Sequence, residues 1–126
     1  YIDVIKDLLE FFSFQIQKAL DFGIKKEQII IDPGIGFGKQ LNDNFILIRR
    51  LKEFSELGFP ILIGPSRKSF IGLTLDSPPE YRLEGTLAAV SAGILNGASI
   101  VRVHDVKEVK RTVIITDKIM GTDTQV

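Results

Sequence analysis

Apolar positions recur along this chain in two alternating rhythms. Residues 2–22 carry Ile5, Leu8, Leu9, Phe12, Ile16, Ala19 and Leu20 at three- and four-residue spacing, which puts them on one face of an amphipathic helix. Gly23 follows, where a left-handed helix end would sit. No strand and no cap precedes this stretch, so the chain is expected to open inside the helix. Gln28-Ile29-Ile30-Ile31-Asp32 comes next. Three consecutive isoleucines predict a strand buried on both faces, as in a parallel sheet. Asp32 closes it, Pro33 stops it, and Gly34-Ile35-Gly36-Phe37-Gly38-Lys39 is a glycine-rich loop. Asn42, Asp43 and Asn44 can each cap the following helix. Leu47, Leu51 and Phe54 form its inner stripe, and Gly58 ends it.

The run Phe59-Pro60-Ile61-Leu62-Ile63 predicts a second strand from Pro60 to Gly64, closed by the sharp turn Gly64-Pro65-Ser66. Residues 73–80, with Ser77-Pro78-Pro79, read as a surface loop. Residues 82–96 read as a helix with Leu83, Leu87, Val90 and Ile94 on one side. Its small residues Gly85, Ala88, Ala89, Ser91, Ala92 and Gly93 suit close packing on a neighbour or a second subunit, and Gly97 ends it. Ser99 to Val103 is the third expected strand, with Arg102 and His104 sharing one face and Val101 and Val103 the other. Val106, Val109, Val113 and Met120 mark a last helix over about residues 105–120, and the six polar residues after it are expected to fray. The order is one helix and then three strand–helix units whose strands begin near 28, 60 and 99, the spacing of β/α repeats. No linker, low-complexity segment or composition shift divides residues 1–126, which read as a single domain.

Composition narrows the class. With 44% hydrophobic and 25% charged residues, the 126-residue chain reads as a soluble globular domain or part of one. Sixteen cations balance sixteen anions, so net charge supports neither a nucleic-acid nor an acidic-membrane partner. There is no cysteine, hence no disulfide framework and no thiolate metal site. No signal peptide and no apolar run near eighteen residues is present, and cytoplasmic residence is the expectation.

The chemistry gathers at the three strand ends. Parallel strands joined by helices place their C-terminal ends on one edge, where ligands bind in barrels and open sheets alike. The first end supplies Asp32 and the glycine loop, the second Ser66, Arg67, Lys68 and Ser69, and the third Arg102, His104 and Asp105. The second also opens a helix, whose free N–H groups favour anions. A carboxylate such as Asp32 can accept two parallel hydrogen bonds from an amidine-like edge, as in guanine or pterin rings; its plainer role is a cap or turn residue before Pro33. Arg102 and His104 suit a phosphate or pyrophosphate leaving group; the plainer alternatives are a strand–loop salt bridge and a core histidine satisfied by backbone. Ser-Arg-Lys-Ser alone could be a solvated basic turn. Asp105 reads as a helix N-cap rather than a base. The glycines at 34, 36 and 38 do not have dinucleotide-loop spacing, and Lys39 is not followed by Ser or Thr as a P-loop requires.

Together, Asp32-Pro33-Gly34-Ile35-Gly36-Phe37-Gly38-Lys39, Ser66-Arg67-Lys68-Ser69 and Arg102-Val103-His104-Asp105 resemble the three C-terminal motifs of the dihydropteroate synthase family, and the resemblance covers essentially the whole chain. It implies an α/β fold, the C-terminal portion of a TIM (β/α)8 barrel, with about three strand–helix units and a preceding helix. It implies a transferase of folate biosynthesis that joins 6-hydroxymethyl-7,8-dihydropterin diphosphate to p-aminobenzoate and releases pyrophosphate. Carried over to this sequence, Asp32, Gly64 and Lys68 would hold the pterin. Phe37, Arg67 and Ser69 would border or receive p-aminobenzoate, and sulfonamides in its place. Arg102 and His104 would grip the diphosphate, and Lys68, Arg102 and His104 would carry catalysis. Mg²⁺ is expected to be held by N-terminal parts of such a barrel, since this chain has no metal ligand set of its own. The remaining expectations are a homodimer through the last helices and a fragment that associates and is inactive alone. The alternatives are a non-catalytic pterin-binding or interaction module, and a barrel like the methyltetrahydrofolate methyltransferases.

Overall fold

The computed structural model describes residues 3–124. Helix α1 spans Val4–Asp21. It begins at a true cap: the Asp3 carboxylate accepts hydrogen bonds from the N–H groups of Ile5 and Lys6, both at 3.1 Å. The expectation that the chain opens uncapped inside a helix is therefore corrected, and residue 2 lies outside the described residues. Ile5 and Leu8 are buried in the main core, with Leu9 and Phe12 packed against it. Leu20, expected on the same face, is 37% exposed. Gly23 adopts φ +103° and turns the chain out of the helix.

The first expected strand is much reduced. Lys26–Gln28 is a short 3-10 helix, and only Ile31 pairs, in a parallel bridge with Ile61. Ile31 is 2% exposed but Ile30 is 53% exposed, so the isoleucine run is not buried on both faces. The ribbon has a neighbour on one side only among the described residues, and nothing there covers Ile30. Two strands follow, β1 (Leu62–Ile63) and β2 (Ile100–Val101), paired in parallel with Leu62 opposite Ile100 and Ile63 opposite Val101. They are shorter than the expected Pro60–Gly64 and Ser99–Val103. The ladder nevertheless continues past β2, where the Arg102 N–H donates to Ile63 O at 3.0 Å.

Helix α2 is Leu41–Arg49, and a 3-10 helix covers Leu51–Leu57. The expected single helix breaks at Arg50, whose φ of −107° and ψ of 18° leave the helical region. Its guanidinium is held by Glu53 at 2.6 and 2.9 Å. The cap position falls on Gln40, not on Asn42, Asp43 or Asn44; Asp43 instead accepts the Gln40 N–H from inside the first turn. The inner stripe Leu47, Leu51 and Phe54 is fully buried, and Gly58 ends the segment at φ +84°. Each such side chain contributes about 2 kcal/mol on leaving water.

Helix α3 is Ser69–Leu75, so the loop expected from residue 73 begins only at Asp76, and Pro79–Tyr81 adds a 3-10 turn. Helices α4 (Leu83–Leu95) and α5 (Val106–Met120) complete the chain. Val90, Ile94 and Val109 make a second cluster, against which Val101 and Val103 pack. Two small residues of α4, Gly85 and Gly93, allow close packing inside the molecule, while Ala88 is exposed. A Cβ on Gly93 would lie 2.2 Å from Ile63 Cδ1, and one on Gly85 2.3 Å from Ile71 Cγ2. The helix thus seats directly on β1 and α3. Among the described residues no helix is long and apolar enough to cross a membrane.

Candidate functional site

The turn after β1 carries the densest chemistry. Gly64, Pro65 and Ser66 are buried, and Arg67 then takes φ +56°. A left-handed backbone costs a non-glycine residue about 1–2 kcal/mol and persists only where its surroundings fix it. Those surroundings come from far along the chain. The Arg67 N–H donates to Thr86 Oγ1 at 3.1 Å. Its carbonyl accepts from Arg82 Nη1 at 2.7 Å, while Arg82 Nε donates to Ser77 O at 2.8 Å. Gly72 makes room for this arm, since a Cβ there would lie 2.2 Å from Arg82 Cζ.

The Arg67 guanidinium makes a bidentate pair with Asp105, Nη2 to Oδ1 at 2.7 Å and Nε to Oδ2 at 3.1 Å. Hydrogen bonding from Arg67 holds the Asp105 carboxyl below its ordinary value, and the same bond raises Arg67. Asp105 does occupy the N-cap position of α5, but its side chain makes no capping bond. The expected N-cap position is thus found without its side-chain bond: the carboxylate is engaged by Arg67, where a charge-assisted fork outcompetes a single backbone N–H.

Ser66 and His104 form a second link. Ser66 Oγ lies 2.8 Å from His104 Nδ1 and also accepts the His104 backbone N–H at 3.1 Å. His104 is exposed and held by a hydroxyl, not a core histidine. Arg102 is exposed and forms no salt bridge among the described residues. It lies along the backbone at Gly64, where a Cβ would come within 3.2 Å of its Nη2.

The glycine loop closes the opposite side. Asp32 accepts the Gly34 N–H at 2.9 Å, the turn role, while its carboxylate remains exposed. Buried Asn44 accepts the Gly36 N–H at 2.7 Å. Lys39 Nζ donates to Gly34 O at 2.7 Å and Phe37 O at 2.9 Å. Lys68 crosses from the turn, donates to Ile35 O, and sits 4.5 Å from the Phe37 ring centroid. Such a cation over an aromatic face is favourable. Burial, and then the nearby Arg102 charge, hold Lys68 below the ordinary lysine value, with Asp32 acting in the opposite sense. Gly36, at φ +88°, leaves space for the Lys68 stem.

These elements enclose a cavity of about 520 Å³ that Phe37, Gly64, Arg67, Lys68, Arg102 and His104 line together. Ser66, Val103 and Pro79 complete the lining. Asp32 and Ser69 are not part of it; Ser69 is the exposed first residue of α3. Sequence reasoning missed Thr86, Arg82 and Asn44. Thr86 alone had a signal, a single polar residue on an otherwise apolar helix face. Among the described residues no three or more His, Cys, Asp or Glu side chains cluster as metal ligands. The arrangement offers guanidinium, ammonium and imidazole donors beside an aromatic ring, which suits an anionic, partly planar ligand.

The family model for pterin binding enzymes matches residues 1–104. The chain belongs to the pterin binding enzyme family. Among curated relatives of this family, the dihydropteroate synthase of Synechocystis is 49% identical over 118 residues, covering 93% of this chain and 41% of that protein. Among solved structures, the dihydropteroate synthase of Clostridium difficile, determined with pteroic acid, aligns at TM-score 0.90 and 48% identity over 93% of this chain and 44% of that one. That of Yersinia pestis in complex with a sulfonamide drug aligns at TM-score 0.94 and 38% identity, over 96% and 44% of the two chains. The chain thus spans about two fifths of the length of these relatives. Its α/β fold is part of a TIM barrel.

Proposed function

We propose that this chain supplies part of the active site of a dihydropteroate synthase, which joins 6-hydroxymethyl-7,8-dihydropterin diphosphate to p-aminobenzoate with loss of pyrophosphate. The observation that carries this reading is the cavity that gathers Lys68, Arg102 and His104 around Phe37 and Arg67. Asp32, Gly64 and Lys68 would hold the pterin. Phe37, Arg67 and Ser69 would receive p-aminobenzoate, and sulfonamides in the same place. Arg102 and His104 would take the diphosphate. As the C–O bond to the diphosphate breaks, negative charge grows on the leaving group. Fixed donors aimed at that charge lower the barrier more than donors aimed at the ground state. Lys68 gives one of its three ammonium N–H groups to the loop carbonyl of Ile35, and the other two would serve the pterin and the reaction.

The described residues do not fit a Mg²⁺ site: Asp105 is engaged by Arg67, and no three or more His, Cys, Asp or Glu side chains cluster as ligands. A homodimer through the last helices is supported by exposed apolar side chains there, Leu95 at 53%, Ile115 at 62% and Ile119 at 75%. Exposed Phe14 and Phe22 on and after α1 support association of the isolated chain, which sedimentation tests; a compact, stable monomer would refute it. Cytoplasmic residence belongs to the same reading.

The first test is calorimetric titration of a pterin diphosphate analogue, beside Asp32→Asn. Binding that this substitution abolishes supports the reading. In a longer protein carrying this segment, Arg102→Ala should reduce turnover far more than it weakens binding of the pterin ring. Equal losses in both would count against the assignment.

A further inference from the structure

We infer that Ser66 is a positioning residue that fixes the tautomer of His104, keeping the neutral ring's proton on Nε2. Protons and lone pairs at Ser66 decide between the two tautomers. Ser66 is 4% exposed, and among the described residues its Oγ has two partners, the backbone N–H and Nδ1 of His104. A hydroxyl has one proton to donate and two lone pairs to fill. The backbone N–H takes one lone pair. If Nδ1 carried a proton, it would take the other, and the Ser66 hydroxyl proton would have no acceptor among the described residues. If Nδ1 is bare, the hydroxyl donates to it and every group is satisfied, as buried polar groups ordinarily are. The second arrangement is therefore the stable one.

Nδ1 is turned onto Ser66, which leaves the Nε2 side of the ring for the cavity that His104 lines. The neutral imidazole then presents a donor there, beside Arg102. Resting on the functional reading above, that donor is suited to an anionic leaving group without needing a charged ring. Nothing in the motif Arg102-Val103-His104-Asp105 selects a tautomer. The selection comes from a serine 38 positions away.

His104 is the only histidine in the chain, so nitrogen NMR with histidine-selective labelling reads it directly. The spectrum is taken at pH values high enough that it no longer changes. A bare Nδ1 and a protonated Nε2 are expected; protonated Nδ1, or a mixture, overturns the inference. Because free imidazole leans modestly the same way, Ser66→Ala is the deciding comparison. It should yield a mixture with a several-fold larger Nδ1–H fraction. An unchanged spectrum in a folded variant overturns the inference, and if the variant fails to fold the unsubstituted chain decides alone. In a longer, active protein carrying this segment, Ser66→Ala should lower kcat about tenfold with a smaller change in KM. A shifted tautomer with unchanged kcat would keep the positioning role and reject His104's part in the reaction.

Discussion

The Arg67 turn and the Gly34–Lys39 loop lie on the same edge of the fold and face each other across one cavity, yet different parts of the sequence hold them. The loop is tied locally: Asp32, Lys39 and Asn44 reach it over separations of two to eight residues. The turn is tied from afar, by Thr86, Arg82 and Asp105 at separations of 19, 15 and 38. The loop's Gly36, Phe37 and Gly38 are exposed, while the turn begins in buried Gly64, Pro65 and Ser66. One side chain, Lys68, bridges the two. A locally tied, exposed loop can adjust to a ligand. A turn fastened to two helices offers a preformed wall.

The largest effect is expected where the distant tie is cut. Thr86→Val keeps the shape but removes the acceptor of the Arg67 N–H. Thr86 is fully buried, so no water takes the hydroxyl's place. Leaving the donor unpaired costs about 2 kcal/mol, and it also releases a backbone held at φ +56°. Urea unfolding should show the loss in the midpoint. An unchanged midpoint would mean that Arg82 and Asp105 alone hold the turn.

The same contrast explains what could be read in advance. The loop's place after an apolar strand, its glycines, and the cations beyond Gly64 are all local signals. Helices α1, α4 and α5 followed from apolar spacing, and the buried stripe Leu47, Leu51 and Phe54 was legible residue by residue, although the break at Arg50 and the length of α3 were not. The strands were not, because their length depends on neighbours: Ile30 satisfies every sequence criterion for burial and is 53% exposed. The partners of Arg67 were hidden for the same reason. No periodicity links position 67 to 86 or 105, and Asp105 sits at the N-cap its local signal indicates but turns its side chain to Arg67.

Smaller effects are expected in the loop. Gly36→Ala places a Cβ 2.7 Å from Lys68 Cδ at φ +88°. The backbone penalty is about 1 kcal/mol, and the Lys68 stem can swing aside. The stability loss should therefore be modest, while ligand affinity, read by calorimetry, falls about tenfold as Lys68 leaves Phe37. A stability loss matching that of Thr86→Val would show the loop to be as rigid as the turn. Asn44→Ala removes the acceptor of the Gly36 N–H, but Gly36 is exposed and water can replace it. About 1 kcal/mol is expected in the same unfolding measurement, less than for Thr86→Val although each change removes one acceptor.

The smallest effect on stability at neutral pH, and the most informative in acid, concerns Asp105. Its carboxyl is held below the ordinary value by the hydrogen bonds from Arg67. The folded state therefore binds this proton less readily than the unfolded chain, whose aspartates titrate near about 3.9. The stabilisation is present above that unfolded value and is lost as pH falls through the lower folded value. Both side chains are partly exposed, at 37% and 20%, so solvent screens the pair. Asp105→Asn should leave the midpoint near neutrality almost unmoved and flatten the acid limb of the stability–pH curve. If the variant's acid limb were as steep as the parent's, another carboxylate would be responsible. The Arg67–Asp105 fork would then orient the arginine without stabilising the fold.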